Sequence, residues 1–278
     1  MIVIDINTFS DGDPTNNFIK RDATFNPNGA LTGARHITVA GNYAYIVAKS
    51  GLNVVDISTP TSPKLLAAVG APAIVDPRVV QVQFRYAFVL DREGMKVVDI
   101  TQPARPRVTA GKVTIADARD LYLVRTYAYV AAGAQGLASI DIERPEAPGA
   151  PSFFNAGGTL NDATGVTVGA TYAGQYAYVA DGKNGLKVVR LIDTATPGYL
   201  GWSPKPVPEV IAWIPTRGSA ISVAEGYKRD RPNDESGNQI GISNRLGARP
   251  FNAQEIAKFY LRNNEVYAVE NQTPRPKP

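Results

Sequence analysis

The chain has 278 residues, 29 basic and 25 acidic side chains, one histidine and no cysteine. That length holds one large β domain or two ordinary ones, and the missing cysteines remove disulfides, thiolate metal sites, a thiol nucleophile and haem attachment through C-x-x-C-H. The basic residues are scattered rather than clustered and no apolar run approaches the length of a membrane-spanning helix, so neither a nucleic-acid groove nor a transmembrane segment is expected.

In chain order, Met1–Ile6 (MIVIDI) lacks the basic and apolar regions of a signal segment and instead matches Met95–Ile100 (MKVVDI) downstream. Residues 2–7 therefore read as the third strand of a repeat, and Phe18–Phe25 as its fourth. A complete unit follows. His36–Ala40, Tyr43–Ala48 and Leu52–Ile57 are short alternating or apolar runs joined by Gly41-Asn42 and by Lys49-Ser50-Gly51. A proline-punctuated corner, Ser58–Pro63 (STPTSP), then leads into Lys64–Val69. The same phrase returns three times. Val79–Gln83, Tyr86–Leu90 and Met95–Ile100 precede the corner Thr101–Pro106; Asp120–Val124, Tyr127–Ala131 and Leu137–Ile142 precede Glu143–Pro148; Val166–Ala170, Tyr176–Ala180 and Leu186–Leu191 precede a delayed fourth strand, Val210–Ile214. The glycines that open the third strands stand at 51, 94, 136 and 185, giving spacings of 43, 42 and 49 residues. A repeat of that period, with several short strands per unit, predicts an all-β fold, a β-propeller.

The pattern then loosens. Ala220–Ala224 reads as a first strand, residues 226–250 as a long polar insertion, and Asn252 with Glu255 as the start of a short helix running to about Leu261. Glu265–Glu270 matches a second strand, and residues 273–278 read as a disordered tail after a single domain over 1–272. First and second strands at one end and third and fourth at the other would join into one composite blade, making five and leaving no open sheet edge. A piece of a longer polypeptide would also begin inside a repeat, so both readings stay open.

The consensus Y-A-Y-[IV]-A-x-x-x-G-L-x-V-V-D-I-[ST]-x-P-x-x-P, carried by Tyr43–Pro63, Tyr86–Pro106, Tyr127–Pro148 and in weaker form by Tyr176–Ile192, resembles the LVIVD repeat family of bacterial and archaeal propellers. In the fourth copy Arg190 takes the place of the aspartate and no proline corner follows it. The resemblance implies an extracellular, cell-surface or periplasmic setting. The segments Asp230–Gln239 and Gly247–Pro250 resemble the C-terminal end of very large family members, some with haem-binding regions elsewhere. A surface protein, a multihaem cytochrome or a filament subunit would then be the partner. The family has no common enzymatic activity, so the resemblance implies architecture more than function.

Four groups of residues invite a chemical reading. Asp5, Asp56, Asp99 and Asp141 end the third strands and could form a carboxylate ring, but a side chain capping the following Ser/Thr-x-Pro corner explains the repetition better. Arg35, Arg78 and Arg119 align just before the first strands, with Thr164 in the fourth copy. They could ring a channel mouth and hold an anion or an acidic partner, although Asp76 and Asp117, two residues before Arg78 and Arg119, offer local pairing. His36 is the sole histidine and lies beside no nucleophile motif such as G-x-S-x-G. Asp11–Asn17 and Asp230–Asn238 are oxygen-rich but lack EF-hand spacing, so solvated turns are the better reading than calcium loops.

The insertion, with Arg229, Asp230, Arg231, Asp234, Glu235, Arg245 and Arg249, suits a docking surface. The expected function is thus a non-enzymatic propeller scaffold for protein contact, needing no cofactor. A propeller hydrolase or lyase with its site at the channel mouth is the alternative, and a lectin-like ligand binder ranks below both.

Overall fold

The computed structural model describes residues 1–5, 20–171, 174–201 and 203–224, with short backbone segments at 245–246, 249–250, 261–262 and 265–266. Its chain divides into two compact units, Met1 with Phe25–Ala224 and Ile2–Thr24 with Glu225–Pro278. In the second unit, β1 (Ile2–Asp5) and β2 (Lys20–Thr24) pair antiparallel, at the places where a third and a fourth strand are expected.

The first unit is a series of four four-stranded antiparallel blades. Blade one is β3 (His36–Ala40), β4 (Tyr43–Ala48), β5 (Gly51–Asp56) and β6 (Lys64–Val69). Blade two is β7 (Val79–Gln83), β8 (Tyr86–Asp91), β9 (Gly94–Asp99) and β10 (Arg107–Thr114). Blade three is β11 (Asp120–Val124), β12 (Tyr127–Ala131), β13 (Leu137–Asp141) and β14 (Ser152–Phe154). Blade four is β15 (Gly165–Thr171), β16 (Gly174–Ala180), β17 (Leu186–Asp193) and β18 (Glu209–Ile214). In each blade the strands lie side by side in chain order, and β3, β7, β11 and β15 contact one another in series. That is the blade arrangement of a β-propeller, with first strands innermost.

The sequence dictates this through its period of two. In β8, Phe88 and Leu90 join Ala128 and Val130 of β12 in the core between blades two and three. The alternate residues Ala87 and Val89 join Tyr45 and Val47 of β4 in the core between blades one and two. Likewise Tyr129 and Ala131 pack with Ala177 and Val179 of β16 between blades three and four. Each Y-A-Y phrase therefore presents large side chains forward and small ones back. Both faces of the middle strands are buried, which is why β8 reads as an unbroken apolar run ending in a buried aspartate. Each fully buried large side chain contributes about 1.5–3 kcal/mol.

The recurrent glycines are required twice over. Gly51, Gly94, Gly136 and Gly185 have φ of 120°, 133°, 77° and 81°, a region L side chains rarely adopt. A Cβ on each would also overlap a fourth-strand carbonyl, that of Val69, Val113, Phe154 or Ile214.

Innermost strands have a free edge, and side chains from the preceding blade cover part of it. Thr38 donates its hydroxyl to the Val80 carbonyl at 2.7 Å, and the Asp120 carboxylate accepts from the Val166 N–H at 2.9 Å.

Blade four departs from expectation in two ways. Its first turn is shorter than the expected Thr171–Gln175, because Thr171 already pairs with Gly174. Its third strand runs two residues past Leu191 to Asp193. Of the expected first strand Ala220–Ala224, only Ala220 forms a β-bridge, to Gly182. In the second unit, β21 (Leu261–Arg262) pairs antiparallel with β22 (Glu265–Val266). Leu261, expected at a helix end, is thus in a strand. Two asparagines separate the pair in sequence, a composition suited to a two-residue hairpin. Residues 252–260, the calcium-loop candidates 11–17 and 230–238, and the tail 273–278 lie outside the described residues. Still, the Ala220–Gly182 bridge repeats the Ala163–Gly133 bridge at the entry to blade four.

Blades two and four each bury an ion pair that the other blades lack. Asp91 and Asp181 close the second strands with side chains wholly buried, and face Lys96 at 2.7 Å and Lys187 at 3.6 Å. Asp91 also accepts from the N–H groups of Val75 and Glu93, and Asp181 from those of Asn161 and Asp162, so each pins the segment that enters its blade. Blade three has Ala132 and Ala138 at the two equivalent positions. Removing Asp91 alone leaves the buried Lys96 ammonium only the half-exposed Glu93 carboxylate at 2.9 Å and takes the acceptor from the Val75 and Glu93 N–H groups, a change that costs about 1–3 kcal/mol. Asp91→Ala should therefore lower the denaturation midpoint sharply, and Asp91→Ala/Lys96→Ala, which copies blade three, should be the more stable of the two variants in a urea titration.

Candidate functional site

The three aligned arginines stand at one structural level. The backbone N–H groups of Arg35, Arg78, Arg119 and Thr164 each donate to the end of their own second strand, at the carbonyls of Val47, Leu90, Ala131 and Ala180. From there the side chains reach forward into the next blade. Arg35 meets Asp76 at 2.8 Å and donates to the Pro77 carbonyl at 3.3 Å. Arg78 lies 3.7 Å from Asp117 and donates to the Ala118 carbonyl at 2.9 Å. Arg119 meets Asp162 at 2.7 Å and Asp117 at 2.7 Å. Thr164, with no guanidinium, still makes the carbonyl bond, donating its hydroxyl to Ala220 at 2.7 Å.

Local pairing therefore holds only for Arg119 and Asp117. Asp76 serves Arg35 of the preceding blade instead of Arg78, its neighbour two residues on. The reason is backbone conformation. Asp76 has φ of 51°, in the left-handed region, which breaks the extended geometry that would set it beside Arg78. Asp162 escapes a search based on arginine alone, yet it stands two residues before Thr164 as Asp76 and Asp117 do before Arg78 and Arg119. That alignment is the signal that finds it.

Three carboxylates thus match three guanidiniums around the rim, with side chains 33% to 45% exposed. At such exposure each pair contributes no more than about 1 kcal/mol, so the row orients blades more than it stabilises them. Asp117 is held below the ordinary carboxylate range by Arg119 first and then Arg78, against the opposing effect of burial.

The strand-end aspartates cap their corners. The Oδ1 atoms of Asp56, Asp99 and Asp141 accept from the N–H groups of Ser58, Thr101 and Glu143 at 2.8–2.9 Å. Asp5 ends β1, also at a strand end. Blade four has this device too, displaced: Asp193 accepts from Ala195 N–H at 3.0 Å, while Arg190 pairs with Asp193 and Glu209. The longer third strand carries the turn three residues downstream of the position where the repeat places it.

His36 is half-buried on β3 with its Nδ1 unbonded, and burial lowers its pKa against the pull of Asp120. Asp120 is pushed up by its own burial, although the Val166 and Leu121 N–H groups oppose this. Among the described residues no three histidine, aspartate or glutamate side chains converge as a metal-ligand set. In the insertion, β19 (Arg245–Leu246) faces β20 (Arg249–Pro250), whereas Arg229, Asp230, Arg231, Asp234 and Glu235 lie outside the described residues.

A sequence profile of the LVIVD repeat matches residues 33–70, 77–111, 115–155 and 164–196. Comparison with curated proteins gives no match. Among solved structures the chain is similar to apo AztD from Citrobacter koseri, with 14% identity, 68% of this chain and 48% of that one covered, and a TM-score of 0.41. It is also similar to a chain of the nidogen/laminin complex, at 12% identity, 78% and 75% coverage and a TM-score of 0.48. The computationally designed Ika4 protein is similar at 16% identity, 57% and 93% coverage and a TM-score of 0.40. The chain thus spans about half the length of AztD.

The rim makes a pH prediction. A carboxylate whose pKa is depressed on folding contributes stability above its unfolded value, 3.8 for Asp117, and loses it as pH falls through the lower folded value. Asp117→Asn should therefore be less stable than the parent at neutral pH, with the gap closing below about pH 4 in denaturation curves recorded across the acid range.

Proposed function

The chain belongs to the LVIVD repeat family, and from that premise we propose that it is a non-enzymatic propeller platform for protein–protein contact in a secreted, periplasmic or cell-surface bacterial assembly. The observation that carries this reading is the fate of the rim charges. Arg35, Arg78 and Arg119 each reach a carboxylate of the following blade, so the groups best placed to act at a channel mouth are engaged in joining blades. His36, the one imidazole in the chain, lies half-buried among inner strands. A hydrolase or lyase would want these same groups free and convergent.

A rigid platform leaves recognition to what is added to it. The largest addition is the insertion at 226–250, where Arg229, Arg231, Arg245 and Arg249 alternate with Asp230, Asp234 and Glu235. Mixed charge of this kind favours specificity and fast encounter with a complementary protein surface. The partner is a surface protein, a multihaem cytochrome or a filament subunit.

Binding of the whole chain to a purified multihaem cytochrome and to a cell-surface protein fraction, with and without residues 226–250, tests the reading. Deletion should weaken the interaction by about tenfold or more while the thermal transition persists. Equal binding by the two proteins would remove the insertion as the contact.

A further inference from the structure

On the corner of blade two the structure opens a cleft of about 370 Å³ lined by Arg85, Asp99, Thr101, Gln102, Arg105 and Arg107. The repeat supplies its own control for asking why these residues are there. The corners of blades one, two and three share a backbone: the N–H groups of Ile57, Ile100 and Ile142 donate to the carbonyls of Asn42, Arg85 and Thr126. The N–H groups of Ser62, Arg105 and Ala147 likewise donate to Thr59, Gln102 and Arg144. At the three arginine positions blade one carries Asn42, Ser62 and Lys64, and blade three carries Thr126, Ala147 and Gly149. The corner folds without guanidiniums, so the fold does not demand the three that blade two places here.

Their surroundings leave positive charge to spare. Asp99 is tied to the Thr101 N–H at 2.9 Å, the Thr101 hydroxyl at 2.6 Å and Arg107 at 3.2 Å. Arg107 also lies 3.6 Å from Glu146 of blade three. Arg85 is held by the Tyr86 hydroxyl at 2.8 Å, its guanidinium 5.1 Å from the ring centre. Among the described residues neither Arg85 nor Arg105 has a carboxylate at ion-pair distance, although Asp99 and Glu146 act on Arg85 from farther off and the Tyr86 hydroxyl donates on to Glu146 at 3.1 Å. Two exposed cations with rigid donor forks therefore border a cleft whose one lining carboxylate is already satisfied.

We propose that this cleft binds a tetrahedral oxyanion, a phosphate or sulfate group, borne on a small organic molecule. A single guanidinium fork satisfies a carboxylate, whereas several forks around one space match the additional acceptor oxygens of phosphate or sulfate. The volume lies within the range of small-molecule sites, which leaves room for the group that carries the anion. The rim offers no comparable site, because each of its arginines reaches a carboxylate.

The test is calorimetric titration of the whole chain at constant ionic strength. Inorganic phosphate, sulfate, a hexose phosphate and a sulfated disaccharide are compared, with chloride and succinate as controls. Saturable binding of at least one phosphate or sulfate compound is expected. The hexose phosphate and the sulfated disaccharide distinguish the two sources. Arg85→Asn and Arg105→Ser, each copying blade one, should weaken that binding by about tenfold or more without moving the thermal midpoint in the absence of ligand. Absence of saturable binding by every phosphate and sulfate compound would overturn the assignment. So would binding unchanged by both substitutions, or succinate binding tighter than all four. The insertion at 226–250 is untouched throughout, so the outcome is independent of the docking reading.

Discussion

Blades hold together here because large side chains of one sheet enter the space left by small ones of the next. Tyr45, Phe88 and Tyr129 point one way around the series, and Ala87, Ala128 and Ala177 point the other. Packing at native density leaves no room for two large or two small residues to face each other without strain or a void. The remaining features follow from that spacing. The glycines let the third strand start hard against the fourth, the aspartates cap the corners that return the chain, and the arginines clip each blade to its successor.

The charged groups sort into two classes. Arg35, Arg78 and Arg119, with Asp76, Asp117 and Asp162, recur in register and bridge neighbouring blades, as structural groups in a repeat should. Arg85, Arg105 and Arg107 occur in one blade on a corner that its neighbours build without them. Recurrence therefore marks scaffold, and departure from recurrence marks candidate chemistry. The buried pairs Asp91–Lys96 and Asp181–Lys187 fall between, since two blades use them and a third does without. They pin the entry segments of their own blades.

Much of this was legible in the residues. Period-two patterning and the repeat of about 43 residues located the strands of blades one to three nearly to the residue, because the middle strands are buried on both faces and a register slip in the half-buried strands beside them would turn core residues to solvent. The corner role of Asp56, Asp99 and Asp141 was readable for the same reason: it repeats. What escaped was relational. The partner of Arg35 lies in the next blade, and no spacing rule within one repeat reveals it; the left-handed turn at Asp76 decides it. In blade four the extended third strand moved the corner to Asp193, where a search for aspartate at Arg190 misses it. The arginine cleft becomes visible only when blades are compared position by position and the shared corner geometry is known.

The interlocking of large and small side chains is most directly tested by a double-mutant cycle across one blade interface. Phe88→Leu and Ala128→Val, made singly and together, should each destabilise, while the pair recovers part of the loss, giving a coupling energy of about 0.5 kcal/mol or more. Val89→Ala, on the opposite face of the same strand, should combine additively with Ala128→Val. Additivity between Phe88→Leu and Ala128→Val would contradict the account.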